Sequence, residues 1–417
     1  MRRVALVSGT LATAFLLTTA ACQTNTTPDP GNSGEGGLQA TPEARLFAQK
    51  TNDFSFDFLK QVNEEQKKEE NIFVSPLSLH TALGLLLNGA AGQTADEMKK
   101  AMHLEGVSLA DANQTYEFLQ KALPTADPKV TTKLANSIWY RNGFPVEPAY
   151  LDATKKTFNA QVSGENFSNP TPVINKINQW ASDNTNGKIK NVIQEIKEEQ
   201  VLFLLNALYF KGDWKYQFDP KSTSDSPFSL ASGSEKPVKM MTMTAGLRHA
   251  FRPTYGAFEL PYGDGTYSMT VLLPNENSSA DALINSLNAT EWADLQTAMK
   301  ESKLMIGLPK FTLEYEAQLN NVLAKMGMST AFSDRADFSG ISKSQGLKVS
   351  YVKQNTFVAV DEKGTEAAAV TSIGVEVTSM GPSLFCNRPF VFLITEKGTG
   401  SVLFMGKIVN PETATQP

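Results

Sequence analysis

The run Val201–Trp214, VLFLLNALYFKGDW, limits the possible folds more than any other stretch of the chain. Its apolar character is nearly unbroken until Lys211, which reads as a strand buried on both faces rather than one with a wet side. Strand patterns surround it. KLANSIWYR (Lys133–Arg141) precedes it, and SMTVLLP (Ser268–Pro274), SKLMIGLPKFTLEYE (Ser302–Glu316), VKQNTFVAVDE (Val352–Glu362), RPFVFLITE (Arg388–Glu396) and SVLFMGKIV (Ser401–Val409) follow. The early part of the chain is helical instead. Phe54, Phe58 and Val62 recur at four-residue spacing within Pro42–Val62, and Ser75-Pro76 opens the apolar helix LSLHTALGLLLNGAAG. Thr94 followed by Glu97 in TADEMKKAM predicts a capping box at the start of a third helix. Helices early and strands late predict an α+β fold in which sheets pack on helices, one large domain over 42–417 with more than one sheet.

Composition supports a large core, with 41% hydrophobic and 19% charged residues and both signs of charge spread along the chain. The net charge of −5 and the absence of a basic cluster with interleaved aromatics argue against a nucleic-acid partner. Only two cysteines are present, Cys22 and Cys386, so the body has no internal disulfide and must hold by packing. Cys386 sits between Phe385 and Asn387 in an apolar region and reads as a buried, inert thiol.

The first residues read as a removable leader rather than as part of the fold. Arg2 and Arg3 precede an apolar run to Leu17, then small residues, then Cys22, the order of a secretory signal over 1–21. Cysteine directly after Ala20-Ala21 resembles the lipobox of bacterial lipoproteins, with Thr19 where Leu is usual, which implies lipidation of Cys22. QTNTTPDPGNSGEGGLQA then predicts a flexible tether over 22–41, because it lacks the bulky residues that would offset ordering entropy. Gln23 after the cysteine lacks the Asp-type signal for inner-membrane retention. The expected location is therefore the cell envelope, on the outer membrane or cell surface, with the lipid as the only membrane contact.

Catalytic constellations are missing from the pattern. His80 lies inside an apolar helix and reads as a packed core histidine, while His103 and His249 have no metal-ligand spacing around them. No nucleophile elbow, phosphate loop or dinucleotide fingerprint occurs. Scattered carboxylates such as Asp96-Glu97 read as solvated helix faces. The expectation is that the chain is not an enzyme and needs no metal or cofactor.

Five stretches in order carry a resemblance to one family. NIFVSPLSLHTALGLLLNGAAGQTADEM (Asn71–Met98), NALYFKGDWKYQFDP (Asn206–Pro220), PKFTLEY (Pro309–Tyr315), VDEKGTEAAAVTS (Val360–Ser372) and CNRPFVFLI (Cys386–Ile394) resemble the signatures of the serpins. The resemblance implies three β-sheets, eight or nine helices and an exposed reactive-centre loop, here about 362–385. A target protease would attack that loop as a substrate, and the cleaved loop would enter the main sheet before the acyl-enzyme hydrolyses. The partner implied is a serine protease in covalent complex with a monomeric inhibitor. Other members are non-inhibitory binding or structural proteins, and a papain-like cysteine protease is an alternative target.

The loop itself favours insertion. Split by parity, Thr365, Ala367, Ala369, Thr371, Ile373, Val375 and Val377 share one face without charge, and both glutamates, Glu366 and Glu376, fall on the other beside Ala368 and Val370. A buried unpaired carboxylate costs several kcal/mol, so this sorting suits a strand with one face on a core. Small residues from Thr365 to Thr371 form the hinge after Glu362, and Gly364 gives it backbone freedom. The family's usual spacing, counted from Gly364 and from the proline of the RPF motif, implies in both cases a scissile bond at Thr378–Ser379, with Val377 and Met380 as neighbouring alternatives. No Lys or Arg lies between Gly364 and Asn387, which disfavours trypsin-like targets and favours elastase-like or subtilisin-like ones. The resemblance further assigns Ser75, Ser78 and Asn206 to a polar shutter under the main sheet, Gln354 to the place where histidine is frequent, and Trp214 to the breach where insertion starts. The helix near Leu109–Leu123 carries only Lys121 as a base, so no heparin-type cofactor is expected.

Overall fold

The computed structural model describes residues 38–344, 346–350, 352–365 and 381–413 of the 417. The chain runs α1 (Pro42–Glu65), β1 (Ile72–Val74), α2 (Pro76–Leu87), α3 (Gly92–Ala101), α4 (Leu109–Ala122), β2 (Val130–Arg141), α5 (Pro148–Phe158), β3 (Gln161–Glu165) and α6 (Pro170–Asn184). It continues with β4 (Leu202–Asp213), β5 (Thr223–Ser229), β6 (Glu235–Phe251), β7 (Tyr255–Tyr262), β8 (Tyr267–Pro274), α7 (Ala280–Ser286), α8 (Ala289–Ala298), β9 (Lys300–Pro309) and β10 (Phe311–Gln318). The last elements are α9 (Asn320–Leu323), β11 (Lys353–Val360), β12 (Gly364–Thr365), β13 (Ser383–Phe385), β14 (Phe390–Glu396) and β15 (Val402–Ile408). Nine α-helices are thus present among the described residues.

Local chemistry sets the helix starts. Thr41 caps α1 by accepting the Ala44 N–H at 3.2 Å, with Pro42 at the first helical position where no donor is needed. Ser75 caps α2 in the same way, accepting from Ser78, and Pro76 follows it. The predicted capping box at Thr94 does not form. α3 starts two residues earlier, at Gly92, and Thr94 and Glu97 turn outward from their own helix to hold another segment. Thr94 Oγ1 accepts the Asp337 N–H at 2.9 Å, and Glu97 accepts the backbone N–H and hydroxyl of Thr330.

Six strands form one sheet in the order β10-β11-β12-β4-β2-β3. The other nine join through the long β6 and β9. Because β6 meets β7 only over His249–Phe251, this set divides into β1-β15-β14-β8-β7 and a smaller group of β5, β6, β9 and β13. The three expected sheets are therefore present, although the seventeen-residue β6 was not legible as a strand in the sequence.

The run that opened the sequence reading is β4, and it is covered on both faces. Leu208 and Phe210 belong to the main core between the sheets, with Phe54, Phe73 and Phe392. Phe203 and Ala207 point to the opposite face, where Ile177 and Trp180 of α6 close a second, smaller core over Trp139. Leu38 also touches the body: its N–H reaches Glu396 at 3.1 Å, so contacts begin inside the segment expected to be tether.

Candidate functional site

The six-stranded sheet is parted. β4 pairs with β2 from Leu202 to Gly212, and β11 pairs with β10 along its whole length. Their inner edges meet only the two residues of β12, Gly364 opposite Asp213 and Thr365 opposite Gly212 and Val360. Both pairings are antiparallel, so β4 and β11 run parallel with a one-strand gap between them. Beyond Thr365 the facing edges, 202–211 on β4 and 353–359 on β11, have no ladder partner among the described residues. Such edges are templates for another strand. A cavity of about 250 Å³ lies along this slot, lined by Ser78, Leu83, Trp180, Leu204, Asn206 and Gln354 among others.

At the filled end, aromatic packing and a charged clamp hold β12. Trp214 donates its Nε1–H to the Asp361 carbonyl at 2.9 Å and its backbone N–H to Lys363 at 2.7 Å, and it stacks on Tyr262 with ring centres 4.4 Å apart. Thr365 is 3% exposed, and its hydroxyl meets that of Tyr262 at 2.7 Å. Glu362 accepts from Lys310 at 2.7 Å and from Thr223 at 2.8 Å. Burial by itself would raise the Glu362 carboxyl, but the bonds from Lys310 and Thr223 more than offset it and hold it below the usual glutamate range. Gly364 has a positive φ of 157° and also makes a close approach: a Cβ there would stand 2.2 Å from the Gly212 carbonyl oxygen of β4.

At the open end the side chains are polar. Gln354 makes two hydrogen bonds to Ser75, accepting its N–H and donating to its carbonyl, each at 2.9 Å. The Ser75 hydroxyl donates to the Leu403 carbonyl at 2.8 Å, which ties β11 through α2 to β15. Ser78 donates to Asn206 Oδ1, and Asn206 donates to Asn136 Oδ1 at 2.6 Å. Asn136 in turn donates to the Phe158 carbonyl at 2.8 Å. The structure thus brings Ser75, Ser78, Asn206 and Gln354 together at one level of the slot, and Trp214, Glu362, Gly364 and Thr365 together at its end.

Four functional neighbours escaped the sequence reading. Lys310, Thr223 and Tyr262 hold the hinge from distant elements, and Asn136 continues the polar chain. Asn136 was the most legible of them, as an amide inside the apolar KLANSIWYR strand.

The other singled-out residues occupy different places. Glu366, Ala367, Ala368, Ala369, Val370 and Thr371 of the hinge lie outside the described residues. So do Val377, Thr378, Ser379, Met380 and the lipidation residue Cys22. Where the chain resumes, Ser383–Phe385 pairs in parallel with Met305–Gly307, anchoring the far end of the loop on a different sheet. His80 is fully buried, with Nε2 at 3.1 Å from the Met102 carbonyl and Nδ1 at 2.8 Å from the Tyr116 hydroxyl. Burial lowers its pKa to about 4. His103 meets Asp57 at 3.0 Å and is raised by that bond. Cys386 is buried, and desolvation pushes its thiol well above the usual range. Lys121 pairs with Glu117 at 2.6 Å on α4. Among the described residues no cluster of three or more His, Cys, Asp or Glu is placed to hold a metal.

Comparison with known proteins agrees with this geometry. The family model "Serpin (serine protease inhibitor)" matches residues 49–411. Serpin B3 of Homo sapiens is 35% identical over 383 residues, covering 86% of this chain and 97% of that protein. A leukocyte elastase inhibitor of Xenopus laevis is 35% identical over 370 residues, covering 86% and 97%. Among solved structures, human thyroxine-binding globulin complexed with thyroxine superposes with a TM-score of 0.82 at 27% identity, covering 88% of this chain and 99% of that one.

Proposed function

The chain belongs to the serpin family, and on that premise we propose that it is a suicide-substrate inhibitor of serine proteases rather than an enzyme or a carrier. One observation carries the reading: β12 already occupies the first two places of a slot whose two edges are otherwise unpaired among the described residues. A strand continued from Thr365 would satisfy both edges at once.

The proposed register follows from the ladders. Partners on β4 have numbers that sum to 577 and partners on β11 to 725, from Thr365 opposite Gly212 and Val360. Glu366 to Val375 would then lie opposite Lys211 to Leu202. Thr365 faces the core, so Ala367, Ala369, Thr371, Ile373 and Val375 would follow it there, and Glu366 would stand on the outer face beside Lys211. Thr371 would fall between Asn206 and Gln354, a hydroxyl between two amides.

In the proposed reaction the protease serine attacks the Thr378 carbonyl carbon. The Thr378–Ser379 amide breaks, Ser379 leaves as the new amine, and Thr378 is held as an ester on the protease. Insertion of 366–378 then carries the bound protease away and distorts its catalytic centre before water attacks the ester. The serpin supplies a metastable fold and the protease supplies the covalent chemistry.

An elastase-like or subtilisin-like serine protease is the proposed target, because the loop offers small and β-branched residues and no base. The relative named leukocyte elastase inhibitor is consistent with that choice. The alternative is a binding protein, the class to which thyroxine-binding globulin belongs by its name; the charge-sorted loop favours inhibition over it. Incubation with elastase followed by a denaturing gel tests the reading. A band at the summed mass is expected, and cleaved product alone would overturn it. Mass spectrometry of the released C-terminal peptide should show Ser379 as its first residue.

We further propose that the mature chain begins at a lipidated Cys22, carries a tether that ends before Leu38, and acts as a monomer at the cell envelope without a heparin-type cofactor. Metabolic labelling with a fatty acid, lost in Cys22→Ser, tests the anchor.

A further inference from the structure

The turn after α6 crosses the slot. Thr185 ends the helix with its hydroxyl on the Ala181 carbonyl at 2.7 Å, and Asn186 and Gly187 follow in left-handed conformation. The Gly187 N–H returns to Ser182 at 2.8 Å and the Ile189 N–H to Thr185 Oγ1 at 3.0 Å, so the turn is tied to the helix end. From it, Asn186 accepts Lys133 Nζ of β2 at 2.8 Å and hydrogen-bonds Tyr209 of β4. Two residues on, the Lys188 ammonium lies over the Phe357 ring of β11, 4.7 Å from its centre. One turn therefore touches both sides of the gap.

The level of that contact is set by the ladders. Tyr209 and Phe357 both point to the outer face, and both register sums leave the same position between them, residue 368. Resting on the reading that the slot takes up a strand, we propose that Lys188 is a positioning residue: its cation–π contact with Phe357 latches β11 to the β4 side and sets the rate at which a strand passes Ala367. The outer-face residue at the latch would be Ala368, whose methyl is the smallest side chain that can pass beneath it. Lys188 acts through Phe357 on the width of the gap.

The test uses the full-length chain and a synthetic peptide with the sequence Glu366–Thr378, whose incorporation is followed by native gel and mass spectrometry. Lys188→Met should raise the incorporation rate about two- to fivefold, the range expected for losing one partly exposed cation–π contact. Lys188→Arg should restore the wild-type rate, since guanidinium keeps the contact. Phe357→Leu should match Lys188→Met, and the double variant should be no faster than either. A wild-type rate for Lys188→Met, or two effects that multiply, would overturn the latch. The elastase gel separates this from the inhibitory reading. Covalent complex with an unchanged peptide rate sinks the latch alone, and a faster peptide rate without complex sinks inhibition alone.

Discussion

The two large sheets are built from similar residues and reach opposite ends. In the nine-stranded set, β14 has a partner on each side along its length and every residue of its span is buried, with Phe392 stacked on Phe73 at 5.7 Å. In the six-stranded sheet, β4 is as apolar but, among the described residues, lacks a partner along ten residues of one edge. β14 thus has neighbours on both sides, whereas among the described residues the facing edge of β4 borders a cavity lined in part by Asn206 and Gln354. Apolar composition thus predicts burial, whereas completeness of pairing decides whether a sheet can still change.

The largest test of this contrast is Thr365→Arg. Thr365 is buried against Tyr262, so a guanidinium cannot follow it into the sheet; cleavage by elastase should persist while the covalent band disappears entirely. On the complete sheet, Phe392→Ala removes a fully buried ring and should lower stability by about 3–5 kcal/mol, read as a shifted denaturant midpoint.

α2 lies between the two sheets, and His80 within it should respond to pH. Its folded pKa of about 4 lies below the unfolded value near 6.5, so the unfolded chain binds the extra proton between them. Stability should be fully present above about pH 6.5 and fall by about 3 kcal/mol as pH drops towards 4, a slope that His80→Gln removes. His103, raised by Asp57, acts in the opposite sense and above pH 6.5, so the two windows separate. The smallest expected effect is at the open end. Gln354→Ala strips Ser75 of two partners and should cost about 1–3 kcal/mol, seen as faster spontaneous loss of the native state on warming.

How much of this was legible depended on whether the signal was local. The double burial of β4 followed from its own unbroken run, and Gln354 could be located by counting because the strand from it to Glu362 has no irregularity. β6 was invisible because its burial alternates weakly along seventeen residues. Thr94 and Glu97 satisfied a local pattern and were recruited by residues more than two hundred positions away. Lys310 and Thr223 belong to the same class: the sequence marks them as polar but cannot say that Glu362 gathers them. The gap itself has no sequence signature, since it is a property of two strands and, among the described residues, the absence of a third.

The contact between Leu38 and Glu396 bears on mechanics. Glu396 is fully buried and also accepts from Gly398 and Thr399, so the segment at Leu38 is fastened to the turn between β14 and β15, on the nine-stranded sheet. A pull along that segment is taken up there. The gap between β4 and β11 lies on the other sheet, so a force entering at Leu38 meets the body away from it.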